Sequence, residues 1–290
     1  MAAPSTTAIV SVAPATIHAQ RSLSLVLLGA TGRTGIPFLY RALERGHHVT
    51  AYMRNAGKLP ADLAQHPLLT CVEGQLYDEA KFAAAYAAAK PHVIVSMLAS
   101  DQKPYTGWSS AAKLLTQVAT ANAPLTVAVT ANSASLSANA AAPAESTGTQ
   151  LVAGSPNVIV KPPQTVAISA WGCGGKSESI VQSRWTGRAI MWLARTFIGK
   201  TVADMEAGIH ALEDARRNGT LRVTFIQPAL ITNGPRTDKY ECASEDTDIS
   251  QRMTSFDTIS RHDLADLTIR LIEQAGEGHE LPHYVPVRNP

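Results

Sequence analysis

Gly29-Ala30-Thr31-Gly32-Arg33-Thr34-Gly35 follows directly on the apolar run Leu23-Ser24-Leu25-Val26-Leu27-Leu28. An apolar run of this length ahead of glycines reads as a buried parallel strand. Behind the glycines, Ile36, Leu39, Tyr40 and Leu43 recur at helical spacing, and Gly46 stands where a helix would be capped at its C-terminus. The order strand, glycine turn, helix is the first half of a dinucleotide-binding βαβ unit. Each glycine has its own physical task there: Gly29 for the tight turn, Gly32 for close backbone approach to a diphosphate, Gly35 for helix packed on strand. Thr31, Arg33 and Thr34 fill the turn between them, and the diphosphate would rest on N–H groups at the helix N-terminus, where the helix dipole favours negative charge.

The second strand is expected at His48–Met53, ending at Arg54. An NAD enzyme places an acid about 20 residues past the glycines, to hold the ribose 2′-hydroxyl. Here the position carries arginine, with Asn55 and Lys58 close behind. A carboxylate would repel a 2′-phosphate, whereas a guanidinium binds one bidentately. Arg54, Lys58 and Arg33 therefore make NADP(H) the expected cofactor.

The pattern beyond continues as alternating strands and helices. Leu69–Glu73 reads as a weak third strand, Glu79–Lys90 as an alanine-rich helix stopped by Pro91, and His92–Leu98 as the fourth strand. Met97 and Leu98, at the carboxyl end of that strand, are expected beside the cofactor, because ligands sit outside the carboxyl ends of such strands. A helix is expected over 109–122. Two stretches compete for the fifth strand, 125–130 and 165–170, and the glycine-rich sequence after Ser169 favours the later one. Between them, 132–163 is rich in Ala, Ser, Thr and Pro and almost uncharged, the composition of a surface insertion. Helices follow at 185–198 and 201–218, a strand at 222–226, and a loop at 227–235 that could close over nicotinamide and substrate. Trp171, Pro228 and Leu230 are the candidate substrate-pocket residues. Ser260 and Asp263 open a last helix with a capping-box pattern, and His262 beside them is expected to be structural. The whole reads as an α/β chain: a Rossmann-type doubly wound parallel sheet with helices on both faces. It is one domain over 23–290, with an insertion at about 123–164 and substrate-covering segments at about 176–200 and 228–258.

Composition narrows the partners. The 290 residues are 45% hydrophobic and 17% charged with a net charge of +2, which gives no reason to expect nucleic acid or a membrane; a small-molecule substrate and a monomer or small homo-oligomer are expected. The three cysteines are odd in number and far apart, so neither a disulfide framework nor a metal site is expected, and a reducing, cytoplasmic setting follows. Residues 1–22 lack the early charge and long apolar core of a signal peptide and read as a disordered tail. Tyr86-Ala87-Ala88-Ala89-Lys90 matches the Tyr-x-x-x-Lys pair of short-chain dehydrogenases. That pair works on the helix after the fifth strand, whereas here it precedes the fourth, so no catalytic role is expected.

These pieces resemble the NmrA-like, atypical short-chain reductases, and within them the branch of NADPH-dependent biliverdin and flavin reductases. The resemblance rests on the Gly29–Gly35 turn, Arg54 with Lys58-Leu59-Pro60, Ser169-Ala170, Gly234-Pro235-Arg236-Thr237 and Ile259-Ser260-Arg261-His262-Asp263-Leu264. It implies that Arg54 and Lys58 hold the 2′-phosphate and that Ser169 lines the nicotinamide site, where it is the candidate catalytic hydroxyl. Gln75 departs from the family's usual aspartate beside adenine. The resemblance implies an NADPH-dependent reductase of a conjugated or aromatic small molecule. It leaves open a redox-neutral isomerase or cyclase of specialised metabolism, and a non-catalytic NADP(H)-sensing regulator, since fold does not fix function.

Overall fold

Leu25 and Leu27 of the first strand point to one side of the chain, Val26 and Leu28 to the other, and all four are fully buried. A strand with both faces buried needs helices on both sides, and that is the architecture in a computed structural model describing residues 21–98, 106–121, 164–170, 173, 175–242, 253–254 and 256–290. β1 (Ser24–Leu28) is followed by α1 (Gly35–Glu44), β2 (His48–Met53), a 3₁₀ turn (Ala56–Lys58), α2 (Ala61–Ala64), β3 (Leu69–Glu73), α3 (Glu79–Ala89) and β4 (Val93–Ser96). Then come α4 (Gly107–Ala121), β5 (Gln164–Ile168), α5 (Gly175–Ser183), α6 (Trp185–Arg217), β6 (Arg222–Pro228), β7 (Leu230–Thr232), β8 (Glu241–Cys242), β9 (Thr258–Ser260), α7 (Arg261–Gly276) and β10 (Tyr284–Arg288).

The main sheet runs β3-β2-β1-β4-β5-β6-β10-β8, parallel except for β8, which pairs antiparallel to β10. The strand order reverses between β1 and β4, and their carboxyl ends define the crevice where doubly wound sheets bind ligands. Leu25 and Leu27 pack with Phe38 and Leu39 of α1 and Leu264 and Leu267 of α7. Val26 and Leu28 pack with Phe82 of α3, Trp108 and Leu115 of α4 and Ile209 and Leu212 of α6. Each such side chain contributes about 1.5–3 kcal/mol when fully buried, so the period-2 alternation of β1 fixes both helical layers.

The structure decides between the competing fifth strands: β5 is Gln164–Ile168, paired with both β4 and β6. The earlier stretch, most of the insertion and the tail lie outside the described residues. Ile198, at φ −128° and ψ 29°, interrupts the helical dihedrals of α6 and divides it where the sequence divides. Four features differ from expectation. The 227–235 loop contains β7, which pairs with β9 in a separate two-stranded sheet. β8, at Glu241–Cys242, and β10, neither of them expected from the sequence, extend the sheet beyond β6. Ser260 caps α7 by accepting from the Asp263 N–H at 3.0 Å, but Asp263 does not return the bond; its carboxylate accepts from the backbone and hydroxyl of Thr237 and from Asn289 instead. That exchange ties the 234–240 loop to the start of α7.

α1 and α7 are also joined by charge. Asp266 accepts from Arg41 Nε at 2.6 Å, Arg270 Nε at 2.7 Å and the Tyr240 hydroxyl at 2.8 Å. Burial pushes its carboxyl up, but Arg270, Tyr240 and Arg41 outweigh burial and hold it below the usual range.

Candidate functional site

The glycine turn lies at the crevice between β1 and β4. Gly29 has φ +85°, and a Cβ there would stand 2.7 Å from the carbonyl oxygen of Met97. A Cβ on Gly35 would stand 2.1 Å from the Gly29 oxygen and 2.8 Å from that of Ala30. Only glycine fits either position, which brings the start of α1 down onto the turn. Thr34 occupies the N-cap of α1 without a side-chain capping bond.

Arg54 is exposed directly after β2, and Lys58 is exposed at the end of the 3₁₀ turn. Asn55 Oδ1 accepts from the Gly57 N–H at 2.8 Å, and Glu73 Oε1, from the end of β3, accepts from Ala56 N–H at 2.6 Å. The turn is thus pinned from both sides, and both cations are offered from it at the carboxyl edge of the sheet.

A cleft opens at the same edge, lined by Thr34, Met97, Leu98, Trp108, Ile168, Ser169, Thr201, Met205 and Ile231. It is mostly apolar, with a few hydroxyls, as ligand pockets usually are. Ser169 is buried; its backbone N–H donates to the Ile226 oxygen at 2.9 Å, while its hydroxyl reaches the same oxygen only at 3.4 Å. A bond that long leaves the hydroxyl able to turn toward the cleft.

Several lining residues had no legible signal. Thr201 and Met205 are brought in by the buried Asp204 between them, whose carboxylate accepts from Trp108 N–H at 2.8 Å and Ser109 N–H at 3.1 Å. One helix thereby caps another: α6 supplies the N-terminal cap of α4 and holds Trp108 against the cleft. Gly208, one turn on, permits this approach, since a Cβ there would lie 2.8 Å from the Trp108 carbonyl carbon. Of the expected pocket residues, Trp171 lies outside the described residues. Pro228 is buried at the end of β6, and Leu230 is 47% exposed. Ile231 takes the place expected of them, because alternation along β7 turns Leu230 away from the side that Ile231 presents. The 185–198 helix lines the cleft with none of its residues; only its continuation does.

Tyr86 and Lys90 fall at the opposite edge of the sheet. Lys90 ends α3 in a left-handed conformation, φ 44°, and the neighbouring Ala89 oxygen accepts from the hydroxyl of Ser24, the first residue of β1. The amino end of β1 is a strand's length from the cleft. Tyr86→Phe and Lys90→Met are therefore expected to leave turnover unchanged within about twofold, whereas loss of a general acid costs about 100-fold or more; steady-state rates of the two variants check it. Neither buried cysteine offers a nucleophile: burial pushes the Cys173 thiol up to about 12, with Glu206 and Glu178 adding to it, and the Cys242 thiol up to about 11. Among the described residues no cluster of His, Cys, Asp and Glu could hold a metal. His262 is exposed at the start of α7.

Arg261 is a further residue that sequence reasoning passed over. It donates to the Asn233 side chain, and its Nε is buried without a hydrogen-bond partner. Burial, and then the nearby charge of Arg33, pull its pKa down. Two guanidiniums thus converge beside the glycine turn, an arrangement that an anionic ligand relieves.

The topology, the glycine turn and the crevice define a dinucleotide-binding protein of Rossmann fold. The sequence model of an NAD(P)H-binding family matches residues 29–152, so the cofactor class is NAD(P)H. No curated protein matches the chain by sequence. Among solved structures, a short-chain dehydrogenase/reductase (wide type) from Veillonella parvula, in complex with NADP, superposes with a TM-score of 0.58 at 15% identity, covering 92% of this chain and 94% of that one. ChuY, an anaerobilin reductase from Escherichia coli O157:H7, gives 0.59 at 18% identity over 92% and 97%. The oxidoreductase ylbE from Lactococcus lactis gives 0.53 at 14% identity over 92% and 91%. At such identities the likeness is one of fold.

Proposed function

We propose that this chain is an NADPH-dependent reductase acting on a conjugated or aromatic small molecule. The observation that carries the reading is the juxtaposition, at one edge of the sheet, of the glycine turn, the Arg54–Lys58 turn and the apolar cleft around Ser169. Gly29, Gly32 and Gly35 with Thr31 and Thr34 would hold the diphosphate, with Arg33 and Arg261 as its countercharges. Arg54 and Lys58 would take the 2′-phosphate. Met97, Leu98 and Ser169 would flank the nicotinamide, and Trp108, Met205 and Ile231 would hold a planar substrate against it. The likeness of fold to ChuY, an anaerobilin reductase, points the same way.

NADPH bound there would supply a hydride for an electron-poor carbon of the substrate. The chain's own contribution is position, exclusion of water by the apolar walls, and one hydroxyl at Ser169 able to donate a hydrogen bond to the reduced substrate or relay a proton from water. Ser169→Ala is expected to lower kcat/KM about tenfold, about 1.4 kcal/mol in the barrier, with NADPH affinity retained. Unchanged kcat/KM would reduce Ser169 to a strand-end hydroxyl. The reading as a whole is tested by NADPH oxidation, followed by its ultraviolet absorbance, against a panel of quinones, flavins and enones. Product formation that requires the cofactor without consuming it would replace hydride transfer with redox-neutral chemistry.

A further inference from the structure

The first half of α6 carries its apolar side chains on the wrong face for a core. Trp185 is 78% exposed, Trp192 69%, Phe197 77%, and Leu193 and Ile198 50% and 53%. Trp185, Ala189, Trp192, Leu193 and Phe197 recur at helical spacing, so they form one continuous stripe. The opposite face is the one packed on the protein: a Cβ on Gly187 would lie 2.2 Å from the Val181 oxygen of α5, and Met191 packs against the core. The orientation is therefore fixed by close backbone packing, and the aromatic stripe faces out. An exposed aromatic stripe of this kind marks an interaction surface.

Charge identifies the occupant. Between Glu178 and Asp204 the chain carries Arg184, Arg188, Arg195 and Lys200 and no acidic residue at all. Arg188 and Arg195 fall together along one flank of the stripe, and Lys200 lies just past its end. Arg195 is bonded to Glu206 at 2.9 Å and Arg184 to the Met253 oxygen at 2.6 Å, while Arg188 and Lys200 are exposed. The carboxylates nearest this face are Glu206, taken by Arg195, and Glu178, in the groove with Arg188, so the face keeps an excess of positive charge that a second copy would meet with like charge. Tryptophan, phenylalanine and leucine on one face with flanking arginine and lysine is instead the make-up of a helix that lies in a membrane interface. We infer that the Trp185–Ile198 segment docks this protein on an anionic lipid surface. The net charge of +2 for the whole chain does not bear on this, because the attraction acts within about one Debye length of the surface and is set by the local segment. No helix among the described residues is long and apolar enough to cross a membrane, so the contact is peripheral. Thr201 and Met205 continue the same helix into the cleft, which brings the cleft close to the docked surface.

The experiment is co-sedimentation of the full chain with phosphatidylcholine vesicles with and without phosphatidylserine. Binding is expected to the anionic vesicles, weakening with added salt and absent from pure phosphatidylcholine. Trp192→Glu/Phe197→Glu should weaken it at least about tenfold, and Arg188→Glu/Lys200→Glu should remove the dependence on phosphatidylserine, each with NADPH affinity unchanged as the check on folding. Should the aromatic variant fail to fold, the charge variant and the salt dependence still decide. The inference is overturned if neither vesicle binds the protein, if both variants bind as the parent does, or if sedimentation velocity without lipid shows a dimer that the aromatic variant dissociates.

Discussion

Gly35→Ala is expected to abolish NADPH binding and to lower the melting temperature, the largest effect of any single substitution in the site. The added methyl would stand 2.1 Å from the Gly29 oxygen and 2.8 Å from the Ala30 oxygen. Both are backbone atoms of the turn that would cradle the diphosphate, so no rotamer change relieves the contact; the turn or the start of α1 must move. Overpacking costs about 1–3 kcal/mol even where side chains can yield, and a rigid backbone puts this case at the upper end or beyond. Against a typical stability of about 5–15 kcal/mol the chain still folds, but displaced N–H groups lose the diphosphate, and affinity should fall at least about 100-fold. Gly199→Ala is the control. Nothing lies within 4 Å of a Cβ there and its φ is not positive, so that variant should be neutral or more stable by roughly 0.5–1 kcal/mol. Calorimetric titration with NADPH and thermal unfolding of both variants decide it. Parent-like affinity in Gly35→Ala would remove the glycine turn from the cofactor site.

How much of this was readable in advance follows from the range of the interactions. β1, the glycine turn, α1 and β2 are contiguous, and their signals are local: apolar run, glycine, helical spacing, strand ending in arginine. The fifth strand was not settled by local pattern, because 125–130 and 165–170 are both β-branched and apolar; pairing with β4 and β6 settles it. β10 escaped notice because Pro286 sits within it, and a proline argues against a strand that pairs on both sides. The strand tolerates it because β8 reaches only Val287 and Arg288. β7 and β9 are three residues each, too short for period to show. The cleft was half legible for the same reason. Met97, Leu98 and Ser169 stand at strand ends, which topology places. Asp204, Thr201, Met205, Ile231 and Arg261 come from elements far apart in sequence, and only the packing of α6 on α4 and of β7 beside the turn brings them to the crevice. The apolar helix at 185–198 shows the limit of composition most plainly: its residues read equally as core or pocket cover, and the close packing of Gly187 on α5 turns them to solvent.

Arg54→Ala is expected to erase most of a preference for NADPH over NADH. The two cofactors differ only in the 2′-phosphate, so a residue that touches nothing else changes one affinity and spares the other. Arg54 stands directly after β2, where topology places the adenosine ribose, and the pinned Ala56–Lys58 turn offers Lys58 beside it. A charge-assisted bond to a phosphate is worth roughly 1.5–3 kcal/mol, so NADPH affinity should fall between about tenfold and 150-fold while NADH affinity changes less than about twofold. Lys58→Ala should give a smaller drop of the same kind, since an ammonium on a flexible stem meets a phosphate as a point charge, whereas a guanidinium meets it bidentately. Arg54→Lys separates charge from geometry: partial recovery of the preference would assign the remainder to the planar fork. The carboxylate of Glu73 lies against the same turn, bonded to the Ala56 N–H at 2.6 Å. Its negative charge disfavours a bound phosphate, so Glu73→Gln, which keeps an acceptor for that N–H, should raise NADPH affinity modestly and leave NADH unmoved. Titration of each variant with both cofactors measures all four. Equal affinity of the unmodified protein for NADPH and NADH would show that neither cation at the end of β2 meets the 2′-phosphate.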